Sequence, residues 1–210
     1  MKDNIKHTQL NEAKWDKWAE SFDGKGWVHR YLRDAQSKVV SLLDVKEDLH
    51  FLDVGCGTGW AIGEAAKLVN DKGLFYGVDL SSKMIEKAKD NFSGKENFHF
   101  IKANAESIPL DSDFFDIIIC TNSFHHYLHP DQAMNEFYRL LKKGGKVYIL
   151  DTTTDVWYAK IVDMIFRLFE AEHVKHHNTK EYQQLFHNTG LKHSASKKVK
   201  GNNKVHIAEK

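Results

Sequence analysis

The stretch Phe51–Lys67, FLDVGCGTGWAIGEAAK, decides the fold. A short apolar run breaks into glycines at 55, 57 and 59, and a helical pattern starts at once. That is the strand–loop–helix junction opening an α/β unit, where missing Cβ atoms let the chain turn sharply and a ligand approach the main chain. The dinucleotide-binding spacing is Gly-x-Gly-x-x-Gly; here the third glycine position holds Trp60. A phosphate-gripping loop would follow its glycines with Lys-Ser or Lys-Thr, and GWAIGEAA has neither. The loop is not built for a pyrophosphate.

Outward from this junction, apolar runs recur at 51–54, 74–78, 98–101, 116–120 and 146–150, separated by helical patterns clearest at 60–70, 82–92 and 131–142. Strands alternating with helices predict parallel strands joined by right-handed crossovers, a doubly wound α/β sheet. The third helix is expected to run through RLLKKGG, with lysines in its last turn and a glycine cap. Upstream, 9–23 and 28–44 read as two helices. Downstream, 156–177 reads as one long amphipathic helix and 179–190 as a shorter one, opened by Thr179 and closed by Gly190. The tail reads as two strands about Gly201-Asn-Asn, a hairpin antiparallel to the rest.

The totals narrow the function class. Lysine plus arginine number 30 against 29 acidic residues, which leaves no nucleic-acid footprint. No run approaches a membrane span, and the N-terminal stretch lacks the apolar core of a signal peptide, so a cytoplasmic protein is expected. Two cysteines, Cys56 and Cys120, make no disulfide framework.

In a doubly wound sheet, ligands sit at the carboxyl ends of the strands. Asp79 ends the second strand, where its carboxylate can take both hydroxyls of a ribose; the plainer reading is an acid at a helix N-terminus. Leu80 and Met84 offer apolar surface to a base. After the third strand, the Asn104 side-chain carbonyl and the Ala105 amide can read an adenine edge.

Together these residues resemble the class I S-adenosylmethionine-dependent methyltransferases, and the small-molecule group that includes the ubiquinone/menaquinone-biosynthesis type. The likeness rests on LDVGCGTG, GVDLSSKMIEKAK, ANAESIPLDSDFFDIIICTNSFHHY and EFYRLLKKGGKVYILD, and covers about residues 10–151. It implies a Rossmann-like methyltransferase fold: a mostly parallel seven-stranded sheet, an antiparallel C-terminal hairpin and an N-terminal helical lid. The expected organisation is one domain, with a lid (1–45), a core binding S-adenosylmethionine (46–151), a helical substrate cap (152–192) and terminal strands (193–210).

The resemblance also implies roles. Asp53 would orient the glycine loop and meet the ligand's amino group through water. Gly55, Cys56 and Gly57, in the motif with Thr58 and Gly59, would line its methionine part. Asp79 would take the ribose; Asn104, Ala105 and Glu106 would face adenine. Thr121 and Asn122 would approach the amine and the sulfonium. Asn104 replaces the family's usual aspartate, and Phe22 stands where many relatives carry tyrosine.

The implied activity is methyl transfer to a small-molecule acceptor by in-line displacement, which asks the enzyme mainly for alignment and water exclusion. His126 is the expected catalytic base, with His125 and Tyr127 behind it. In EHVKHH, His173 and His177 have helical i, i+4 spacing, but the run falls at an expected helix C-terminus, where histidine suits the dipole; no metal is expected. Trp15, Trp18, Trp27, Trp157, Tyr158 and Phe166 are expected mostly in core or lid packing, and any that line the cleft point to a flat or apolar acceptor. The expected partner is the small-molecule acceptor, with no nucleic acid, no membrane span, and a homodimer allowed. The competing readings are a non-catalytic relative that binds the nucleoside, and a nicotinamide-dependent oxidoreductase, against which Trp60 counts.

Overall fold

The computed structural model describes residues 2–20, 26–170 and 172–210; Phe22 lies outside them. Two helices, α1 (Lys2–Ala19) and α2 (Trp27–Val40), precede the alternating core: β1 (His50–Val54), α3 (Trp60–Leu68), β2 (Leu74–Asp79), α4 (Ser82–Asn91), β3 (Phe98–Lys102), β4 (Phe115–Thr121), α5 (Pro130–Leu140) and β5 (Leu141–Thr152). Then follow α6 (Trp157–Phe169), α7 (Thr179–Thr189), β6 (Lys192–Lys200) and β7 (Asn203–Glu209). The strands form one sheet in the order β3-β2-β1-β4-β5-β7-β6. β1 to β5 pair in parallel, while β7 runs antiparallel to both β5 and β6. The doubly wound sheet with its antiparallel hairpin is as expected.

The central strands β1 and β4 lie buried on both faces, which explains their continuous apolar runs. Side chains alternate between two cores with the period of two that a strand imposes. Phe51, Ile117, Ile119, Tyr148 and Leu150 pack with α2, α3 and α4 on one face. Leu52, Val54, Ile118, Val147 and Ile149 pack with α5 and α7 on the other.

Three boundaries differ from expectation. α5 stops at Leu140, and Leu141 is already extended and paired with Phe115. Lys142 and Lys143 therefore lie in β5, where the Lys142 ammonium meets Asp116 rather than a helix dipole. α7 is capped by Asn178, not Thr179: its side chain accepts from the Glu181 amide while Glu181 accepts from the Asn178 amide, a capping box. The expected helix over 156–177 ends at Phe169, with Glu170 extended. His173 and His177 are thus not on a helix, and the dipole argument about them lapses.

α6 also departs from the packing expectation. Trp157, Met164, Leu168 and Phe169 are exposed on it, as is Trp27 at the start of α2. No helix among the described residues is long and apolar enough to cross a membrane.

Candidate active site

The glycine loop is held from below by strand β2. The amides of Gly55 and Cys56 both donate to the Val78 carbonyl, at 2.8 and 3.1 Å. The Gly57 amide donates to Asp79 Oδ2 at 2.9 Å, and the Ser81 amide to Asp79 Oδ1 at 2.9 Å. Asp79 therefore orients the loop, the role expected of Asp53. Both Asp53 carboxylate oxygens are buried without a hydrogen-bond partner among the described residues. Burial and the nearby Asp79 push the Asp53 carboxyl well above the usual range. Burial raises Asp79 too, against the pull of its backbone amides.

The glycines serve neighbours before any ligand. Gly55 has φ +78°, and a Cβ there would stand 2.3 Å from Ser123 Oγ. Gly59, the left-handed residue before α3, would place a Cβ 2.8 Å from Phe92.

Above the loop lies a cleft of about 650 Å³ at the carboxyl ends of β1, β2, β3, β4 and β5. Gly55, Cys56, Gly57, Asp79, Leu80, Met84, Asn104, Ala105, Glu106, Thr121, Asn122 and His126 all line it, so the structure brings most of the expected site together. Asp53, Thr58 and Gly59 do not line it: Asp53 is fully buried within β1, and the other two fall where the loop already turns into α3.

Several lining groups are partly committed. Asn104 Oδ1 accepts the Glu106 amide at 2.9 Å, a local turn of the kind asparagine favours, and so is less free to accept from a base. Glu106 Oε1 accepts the His129 amide at the start of α5. Thr121 Oγ1 accepts from Gln36 of α2 at 2.8 Å. Asn122, with φ +53°, keeps a buried Nδ2 with no hydrogen-bond partner among the described residues.

The far end of the cleft is built from histidines. His125 donates Nδ1–H to Asp151 at 2.8 Å, and the His125 amide donates to the same carboxylate. The His125 carbonyl in turn accepts from the Val174 and Lys175 amides, pinning segment 172–178 onto the turn after β4. His126 Nδ1 lies 3.0 Å from the Glu172 carbonyl, which can only accept, so Nδ1 carries the proton and Nε2 the lone pair. Burial lowers the pKa of His125 to about 3 and that of His126 well below its ordinary value, so both rings are neutral. Tyr127 is half-buried against Ser123 and Cys120, and desolvation pushes its phenol up.

Helix α1 is fastened at two places beside the cleft. In α1, Asp16 Oδ1 accepts from Ser81 Oγ at 2.5 Å and from the Lys83 amide, docking the helix on the start of α4. Across the cleft, Lys14 pairs with Glu170 at 3.0 Å and with Glu172. Trp15, Trp18 and Phe166 line the cleft, whereas Trp27, Trp157 and Tyr158 do not.

Comparison with known proteins now has a geometry to land on. Residues 52–149 match the family described as "Methyltransferase domain". The chain is 29% identical over 152 residues to an uncharacterized methyltransferase, YcgJ, of Bacillus subtilis, covering 70% of this chain and 59% of that one. It is 30% identical over 161 residues to the ubiquinone/menaquinone biosynthesis C-methyltransferase UbiE of Vibrio parahaemolyticus, covering 71% and 62%. The solved YcgJ structure superposes with a TM-score of 0.69 at 27% identity, over 76% of this chain and 69% of that one. Over residues 52–149 the chain matches an S-adenosylmethionine-dependent methyltransferase domain. S-adenosylmethionine is the cofactor that goes with such a domain, and the chain spans about three fifths of the length of these two curated relatives.

Sequence reasoning about the methyltransferase domain missed the groups at the histidine end: Asp151, Asp163, His176 and the strap lysine Lys14. Asp151 alone carried a signal, an acid at the carboxyl end of a core strand.

Proposed function

We propose that this chain transfers a methyl group from S-adenosylmethionine to a small-molecule acceptor held at the histidine end of the cleft. The carrying observation is the charge pattern under the glycine loop: two neighbouring acids, Asp53 buried and Asp79 half-buried, with no basic side chain paired to either among the described residues. A ligand with cationic groups relieves that pair, and an anionic pyrophosphate aggravates it. This favours S-adenosylmethionine over a nicotinamide dinucleotide. The orphaned Asn122 amide and the Gly55–Gly57 main chain complete a cradle that suits the amino-acid tail.

When bound, the cofactor supplies a methyl group already activated on a sulfonium. The chain's part is alignment. Asp79 holds the ribose, while Leu80, Met84 and Ala105 bound the base. Trp15, Trp18 and Phe166 line the remaining space and suit a flat acceptor, with α1 excluding water above it. We read 1–45 as the lid and 152–192 as the acceptor cap. His126 keeps a lone pair on Nε2, but a ring so hard to protonate accepts only a proton that leaves early, such as that of a phenol.

Calorimetry with S-adenosylhomocysteine and with NADH, followed by methyl transfer from labelled cofactor to phenolic, quinol-like and amine acceptors, tests the reading. Binding of S-adenosylhomocysteine and turnover of flat acceptors are expected. Binding of NADH instead, or cofactor binding without turnover of any acceptor in a metabolite extract, overturns it.

A further inference from the structure

The histidine end of the cleft holds more nitrogen donors than alignment of an acceptor needs. One ring nitrogen each from His125, His126 and His173 lie within 4.8 Å of one another. All three rings line the cleft. Each has one nitrogen held by an acceptor: His125 Nδ1 on Asp151 at 2.8 Å, His126 Nδ1 on the Glu172 carbonyl at 3.0 Å, and His173 Nε2 on Asp163 at 2.8 Å. The lone pairs then fall on His125 Nε2, His126 Nε2 and His173 Nδ1. A carboxylate or carbonyl behind each ring is the arrangement that fixes tautomer and orientation in metal-bound histidine.

We propose that His125, His126 and His173 form a binding site for a zinc-class divalent transition metal, with an open coordination position facing the cleft. Three neutral imidazoles suit such an ion rather than magnesium or calcium, which want oxygen. Three protein ligands and one open position are the pattern of a site that works on a bound molecule, whereas a purely structural site closes its shell. Two other groupings share these residues, His125–Asp151–His176 and Asp163–His173–His176. In each, members already bond one another: His125 to Asp151, and His173 and His176 to Asp163 at 2.8 and 3.1 Å. Those carboxylates are acceptors behind the rings. Asp163 is anchored in that role by the His176 amide at 2.7 Å and by Arg167 at 3.0 Å.

The open position lies in the space assigned above to the acceptor, and that clause rests on the methyl-transfer reading. An acceptor hydroxyl bound there would release its proton to solvent on coordination, since a coordinated oxygen acid is a stronger acid, and its oxygen would then bond the methyl carbon as the carbon–sulfur bond breaks and S-adenosylhomocysteine leaves. This removes the need for His126 as a base. Metal binding itself does not depend on methyl transfer.

The test is titration of the chelator-treated full chain with Co²⁺ and Zn²⁺, read by calorimetry and by the visible absorption of Co²⁺. One ion per chain is expected, with the intense bands of a four- or five-coordinate site. His126→Gln and His173→Gln should each abolish it, and Asp151→Asn should weaken it about 10- to 100-fold, while His187→Gln on the exposed side of α7 leaves it unchanged. Wild-type chain alone also decides it: Zn²⁺ should protect the rings of His125, His126 and His173 from acylation. Failure of wild type to bind either ion, equal binding by the His126 and His173 variants, or no protection of these rings overturns the site. S-adenosylhomocysteine affinity, measured on the same samples, separates failure of the metal site from failure of the cofactor reading.

Discussion

Replacing Gly55 by alanine tests what the glycine loop is for. The new Cβ would stand 2.3 Å from Ser123 Oγ and 2.6 Å from Ser123 Cβ, far inside contact distance. The φ of +78° at Gly55 costs an L-residue about 1–2 kcal/mol. Forcing the methyl into a packed neighbour adds about 1–3 kcal/mol. The sum, about 2–5 kcal/mol, should lower Tm by roughly 10 °C in a chain of this size. The loss should appear without any ligand, because the clash is with the protein. Ser123→Gly alone should cost about 0.5–1.5 kcal/mol through its lost hydrogen bond to Tyr127. In the double variant it should return the steric share, a coupling of about 1–3 kcal/mol, and leave the φ cost behind. Urea denaturation of the ligand-free single and double variants measures this directly. Losses that simply add, with coupling below about 0.5 kcal/mol, would refute Ser123 as the reason for Gly55 and return the glycine to ligand approach.

Asp79→Asn keeps size but leaves one of two backbone amides facing a donor; a loss of about 1–3 kcal/mol and weaker S-adenosylhomocysteine binding are expected by thermal shift and calorimetry, and an unchanged Tm would contradict Asp79 as the loop's anchor. Lys14→Ala removes a partly exposed pair with Glu170 and Glu172; stability should fall by no more than about 1 kcal/mol, while stopped-flow fluorescence should show faster release of S-adenosylhomocysteine, and an unchanged rate would deny that α1 is strapped over the cleft. His206 is buried against Tyr182, and burial lowers its pKa from 6.5 to about 4. The unfolded chain therefore binds the proton first: the contribution is whole above pH 6.5 and is lost as pH falls toward 4, on the order of 3 kcal/mol in all. Denaturation at several pH values should show a shallower decline in His206→Gln, and equal slopes would count against it.

The sheet could be read in advance because its information is local. The central strands β1 and β4 are buried on both faces, so alternation is not needed to find them, and the glycines at 55, 57 and 59 mark the first junction unaided. Gly190 closed α7 as read, since a left-handed cap is a property of one residue. The RLLKKGG error has the opposite origin. Leucine, lysine and arginine all favour helix, but Leu141 is claimed by pairing with Phe115, and no propensity records that partner.

At the glycine end, place was legible in the sequence and intrachain bonding was not. Asp79, Asn104 and Glu106 do line the cleft, because position after a strand fixes that. Their hydrogen bonds go to the amides of Gly57, Ser81, Glu106 and His129, which a motif cannot specify. The histidine end is the extreme case. What a histidine can do depends on what holds its second nitrogen. For His125 that partner is 26 residues away, for His126 it is 46, and for His173 it is 10. The apolar period of α6 was extrapolated through 170–177, which put His173 and His177 on a helix face that does not exist. Once the chain leaves the helix at Glu170, it folds back onto the turn after β4 and brings His173 to His125 and His126. A grouping of three rings from two distant segments has no spacing to find, so only the fold could assemble it and only metal titration can say what it holds.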